Sequence, residues 1–169
     1  MATPYNNKVA VRRLVEEFMN KDNPGVVDEL WDPDYKLYPA GDSEPMDFET
    51  HKRDFPDLRA IFPDLQVTIE EQIAEGDLVA TRQTMRGTHM GEMRTPLGTF
   101  QGTGKQAVWS TIIFHRFENG KIKVGHIIYN PLEILQQLGL VGEWPVGPGS
   151  AKPMGAPAQF ELATGTNTP

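Results

Sequence analysis

Residues 106–130, QAVWSTIIFHRFENGKIKVGHIIYN, read as two long strands joined by a tight turn. Asn119-Gly120 is the strongest short hairpin signal, because both central residues of such a turn need positive φ. With these two at the centre, Glu118 faces Lys121. Counting outward then pairs His115 with Val124, Ile113 with His126, Thr111 with Ile128 and Trp109 with Asn130. These eight side chains share one face, and a one-residue slip at the turn would leave the strands mismatched. The face holds two histidines, an asparagine, a threonine and an indole among Ile and Val. That is the composition of a small-molecule site, an apolar wall with a few polar groups aimed inward.

Upstream, Leu65, Val67 and Ile69 alternate with polar neighbours, and Glu75-Gly76-Asp77 turns into a second strand over 78–88. The glycine-rich stretch 89–105 reads as a long hairpin loop of the length often used as a lid. Before the strands come helices. Val11, Leu14, Val15 and Phe18 recur at helical spacing. Asn23-Pro24 opens a short helix through Val26, Val27, Leu30 and Trp31, and a brief extended piece covers 35–38. Asp47 caps a third helix carrying Phe48, Phe55, Leu58, Ile61 and Phe62, which Pro56 kinks or splits. PLEILQQLGL at 131–140 closes with a short helix. Helices first and strands after predict an α+β domain over 1–142. Residues 143–169, dense in Pro, Gly, Ala and Thr, predict a flexible tail, disordered or docked on a neighbouring subunit.

Composition narrows the functions. The 169 residues contain no cysteine, which removes disulfides, thiolate metal sites and cysteine nucleophiles and favours the cytoplasm. A net charge of −7 without a basic stripe argues against nucleic acid. No apolar run approaches the ~20 residues of a membrane span. His51, His89, His115 and His126 show no metal-ligand spacing, and no cofactor motif is present, so neither metal nor cofactor is expected.

In order along 62–139 come FPDLQVTIEEQIAEGDLVATRQTMRGTHMGE, GTGK, IIFHRFENGKI and LEILQQLG. Together they resemble the SnoaL-like polyketide cyclase or ester cyclase family. The resemblance implies the cone-shaped, nuclear transport factor 2-like fold, with N-terminal helices packed on a curved, mostly antiparallel sheet around a pocket. It also implies a homodimer or higher homo-oligomer. In family cyclases the segment after the GK turn is similar to Ile-Val-Glu, then His-Trp, then an aspartate acid/base. Here Val124, His126 and Asn130 stand at the Glu, Trp and Asp positions. An amide cannot exchange a proton at neutral pH, so Asn130 can hold an oxygen but not act as the base.

Two functions follow as expectations. In the first, acid/base chemistry cyclises, isomerises or dehydrates a small hydrophobic polyketide- or terpenoid-like substrate. His126 is then the base, His115 its partner and Asn130 the oxygen ligand. Trp109 stacks on the substrate, and Tyr38, Thr111, Ile113, Ile128, His89 and Arg82 complete its surroundings. For Arg82 a surface ion pair is the plainer account. In the second, the same pocket belongs to a non-catalytic binding or assembly module that has lost the family aspartate.

Overall fold

The computed structural model describes residues 3–39, 44–95 and 97–142. The expected tail, 143–169, lies outside the described residues. Helix α1 (Pro4–Arg13) is capped by the Thr3 hydroxyl, which accepts from the Asn6 N–H, so it starts seven residues before Val11, the first of the apolar repeat. It runs on as a π-helical segment, Leu14–Asn20. Wider turns at a π segment place successive pairs on one face. Leu14, Val15, Phe18 and Met19 all reach the interior cavity from here. Helix α2 (Gly25–Leu30) is shorter than expected, because Trp31 leaves helical geometry and begins strand β1 (Trp31–Pro39).

A two-residue β2 (Met46–Asp47) leads into α3 (Phe48–Ile61), capped as expected by the Asp47 carboxylate, which accepts from the Thr50 N–H at 2.9 Å. Pro56 sits inside α3 without splitting it. Then come β3 (Gln66–Glu75), β4 (Leu78–Thr88), the short β5 (Met93–Thr95) and β6 (Gly98–Phe100), the long β7 (Gln106–Glu118) and β8 (Lys121–Tyr129), and α4 (Pro131–Gln137). The main sheet runs β2-β1-β8-β7-β4-β3, and only the β1/β8 pair is parallel. No helix among the described residues is long and apolar enough to cross a membrane.

The β7/β8 register differs from the expected one. Asn119 and Gly120 have φ of 51° and 81°, and Glu118 pairs Lys121, so the turn is as read. Two residues later the ladder shifts: Phe117 pairs Ile122, but Arg116 pairs Val124. Lys123 is the extra residue of a β-bulge. Its ammonium meets Asp32 at 2.7 Å and Asp34 at 3.1 Å on β1, which holds it out of the ladder. Beyond the bulge His115 pairs Gly125, Phe114 pairs His126, Ile113 pairs Ile127 and Thr111 pairs Tyr129. Every β8 side chain past the bulge therefore changes face relative to the simple count.

Gly125 completes this correction. A Cβ there would lie 2.8 Å from Leu37 Cδ1 and 3.0 Å from the Tyr35 hydroxyl. Only glycine lets β1 bring Tyr35 and Leu37 against the inner face of β8. The inner face thus carries Ala107, Trp109, Thr111, Ile113, His115 and Phe117 from β7, all buried. The outer face leaves Val108, Ile112 and Ile128 exposed.

Candidate active site

The concave face of the sheet and the helices enclose a cavity of about 650 Å³. That volume falls in the range of small-molecule sites. Trp109, Thr111, Ile113 and His115 line it. Met85 and Met93 also line it.

His126 does not. It is exposed on the outer face and stacks on Tyr38, ring centroids 4.9 Å apart. The bulge at Lys123 turns His126 outward, while Tyr38 faces out by the alternation of β1, where Tyr35 and Leu37 are buried. Ile128 goes outward with them and is half exposed. Asn130 lies one residue past β8, where its side chain caps α4 by accepting from the Leu132 N–H at 3.2 Å. Arg82 points to the outer surface and pairs with Glu71 at 3.0 Å.

His89 is fully buried, outside the cavity wall, and braces the loop. Its Nδ1 accepts from the Thr103 N–H at 3.3 Å, while its backbone exchanges hydrogen bonds with Lys105 and Gly104. Burial lowers its pKa. Nearby, the N–H groups of Met90 and Gly91 both donate to the Ile61 carbonyl. A Cβ at Gly91 would come within 2.2 Å of the Ala60 oxygen. The base of the β5/β6 hairpin is thereby fastened to the end of α3. Its tip supplies Met93, Arg94, Thr95 and Leu97 to the cavity wall, and Leu97 remains exposed.

The sequence reading passed over His51. Phe48, His51, Phe55, Leu58 and Phe62 recur at three- and four-residue spacing, so the histidine interrupts an apolar helix stripe and faces inward with it. That spacing was the signal that could have found it. Its ring lies nearly parallel to Trp31, 4.8 Å away at 15°, and Trp31 in turn stacks on Tyr35 at 4.4 Å and 12°. Phe18 packs edge-on against Trp31, which holds the stack in place.

His51 and His115 both line the cavity. Among the described residues, Nδ1 of each ring is sealed without a hydrogen-bond partner, and so is the Trp31 Nε1. Burial pushes His51 down to about 4, although the nearby Asp54 carboxylate opposes the shift. Burial, with a smaller contribution from His51, pushes His115 down to about 3. Both imidazoles are therefore neutral at pH 7, and a neutral imidazole is donor at one nitrogen and acceptor at the other. Asp54 also lines the cavity and pairs with Arg53 at 3.1 Å. Among the described residues no group of three or more His, Cys, Asp or Glu is arranged to hold a metal ion.

Residues 9–138 match the model of the SnoaL-like polyketide cyclase family. The chain belongs to that family. Among solved structures, this SnoaL-like protein is similar to AclR of Streptomyces galilaeus, a candidate hydroxylase. The two are 25% identical with a TM-score of 0.72, over 83% of this chain and 100% of AclR. IdmH of Streptomyces antibioticus, a candidate polyketide cyclase, is 28% identical with a TM-score of 0.68, over 79% and 98%. A protein of ketosteroid isomerase-like fold from Catenulispora acidiphila is 18% identical with a TM-score of 0.62, over 80% and 95%. That last likeness concerns the fold alone. No curated protein matches the chain in sequence.

Proposed function

We propose that this SnoaL-like protein is a cofactor-free enzyme that moves a proton on a small apolar carbonyl compound, with His51 and His115 as the reacting pair. The observation that carries this reading is the pair itself: two neutral imidazoles on one apolar cavity wall, neither hydrogen-bonded to a side chain or backbone group among the described residues. Asp54 favours positive charge on His51 and His51 disfavours it on His115, so His51 is the stronger base of the two. His51 takes a proton from the carbon next to the carbonyl. The electron pair moves onto the carbonyl oxygen, and an N–H of His115 donates to that oxygen.

From the enolate, the nucleophilic carbon attacks a second carbonyl of the same molecule, a C–C bond forms, and the new alkoxide takes the proton back from His51. Returning the proton to a different carbon gives isomerisation instead. IdmH, a candidate polyketide cyclase of the same fold, supports the cyclising version. In either case the base lies on α3, away from the Asn130 position.

Hydrogen exchange at carbon tests the proton-transfer step without the natural substrate. In ²H₂O, the wild-type protein is expected to speed deuterium uptake at the α-carbons of 2-tetralone, read by mass spectrometry, and His126→Ala is expected to match it. Binding of 2-tetralone and of polyketide precursors with no exchange and no product would replace the enzyme reading with the ligand-binding one.

A further inference from the structure

The cavity has a second polar station that the reacting pair leaves unused. Gln83 on β4 is only 2% exposed, lines the cavity, and makes no hydrogen bond among the described residues. Its cross-strand partner is Thr111 on β7, also 2% exposed, whose hydroxyl is sealed without a partner among the described residues. Directly opposed residues on antiparallel strands share a face with Cβ atoms about 5 Å apart. The amide and the hydroxyl are therefore neighbours. The amide opens onto the cavity without a protein partner among the described residues, so a guest with an oxygen at that point can meet it.

The spacing of the stations sets the shape of that guest. Thr111 and His115 lie four residues apart on the same face of β7, roughly 13 Å along the strand. Between them stands Ile113, with Ile127 beside it on β8. Charge is absent from both stations. Among the described residues the charged side chains on the cavity wall are Asp54 and Arg94, and each is already paired, with Arg53 and Glu92.

We propose that Gln83, with Thr111 beside it, holds the far oxygen of an elongated, neutral, apolar ligand whose other oxygen sits at His51 and His115. The amide can donate to a carbonyl or accept from a hydroxyl, so it selects for an oxygen at that end without fixing its oxidation state. This rests on the reading of the cavity as the site of an apolar carbonyl compound. It adds a positioning role: the second contact fixes which end of a rigid molecule meets the histidines, and hence which carbon is deprotonated.

A matched pair of rigid tetracyclic probes tests it. Estrone carries oxygens at both ends, and 3-deoxyestrone keeps only the ketone. Wild type is expected to bind estrone at least about tenfold more tightly, the worth of one well-made buried hydrogen bond. Gln83→Leu is expected to bring the ratio near one while leaving 3-deoxyestrone affinity unchanged, and Thr111→Val to lower it part of the way. Equal binding of the two probes by wild type overturns the second station, as does a ratio that survives both substitutions. If 3-deoxyestrone itself fails to bind, the apolar-carbonyl reading of the cavity falls as well, which separates the two failures.

Discussion

His51→Phe is expected to lower catalysed exchange of 2-tetralone by about 10²- to 10⁴-fold, the usual worth of a positioned general base, while its Kd changes by less than about threefold. Phenylalanine is the informative substitution because it keeps the aromatic stack on Trp31 and Tyr35 and removes both ring nitrogens. Binding energy in this site comes mainly from apolar contact with residues such as Phe55, Met85 and Trp109, which the change leaves in place. A variant that loses binding and exchange together would assign His51 a packing role. Full activity in the variant would remove the base from α3 altogether.

Acid is expected to unfold the protein unusually early. The ordinary pKa of histidine is about 6.5, and burial puts His51 at about 4 and His115 at about 3 in the folded chain. Below pH 6.5 the unfolded chain takes up protons that the folded chain does not, so stability falls as pH falls. Each histidine contributes a slope of about 1.4 kcal/mol per pH unit until its folded pKa is reached. Between pH 6.5 and 4.5 the two together remove about 4 kcal/mol, comparable with the whole stability of a marginal domain. The paired carboxylates Asp32, Asp47, Asp64 and Glu92 are shifted downward, so their loss comes at lower pH. Urea unfolding at pH 6.5 and 4.5 measures the difference. His89, also lowered by burial, adds to the same slope, so His51→Phe should remove a part of it, and an unchanged pH slope would show that His51 is not held neutral by burial.

The strands and caps were legible because each carries a local signal with a single physical meaning. Asn119-Gly120 takes the positive φ values that a tight hairpin requires, and Asp47 accepts the N–H that a helix start leaves free. The site was legible only where it followed from β7 alone. Trp109, Thr111, Ile113 and His115 keep one parity throughout the strand and all reach the cavity. His126 and Ile128 were misplaced by one residue of register. The cause is the bulge at Lys123, which depends on Asp32 and Asp34, some ninety residues earlier in the chain. No count from the turn can contain that contact. Gly125 was the one local hint, since a glycine inside a strand often marks a close approach of backbone or side chain.

His51 was hidden for a different reason. Its helix stripe is plain in the sequence, but an isolated polar residue in such a stripe gains meaning only when the opposing surface is known. Here that surface brings Trp31 and Phe18 against the ring and places His115 on the same cavity wall. Gln83 is the same case on a strand, where inward parity could be counted but the lack of any partner could not.

The most direct measurement of the central claim is the response of the imidazole nitrogens to a bound ketone. Long-range ¹H–¹⁵N spectra of the ¹⁵N-histidine protein, recorded at pH 7 with and without saturating 2-tetralone, report all four histidines at once. The account predicts neutral-ring spectra for His51 and His115 in the free protein and large shifts of both on binding, with His126 unmoved. Movement of His126 while His51 and His115 stay fixed would contradict it and return the site to the outer face of the sheet.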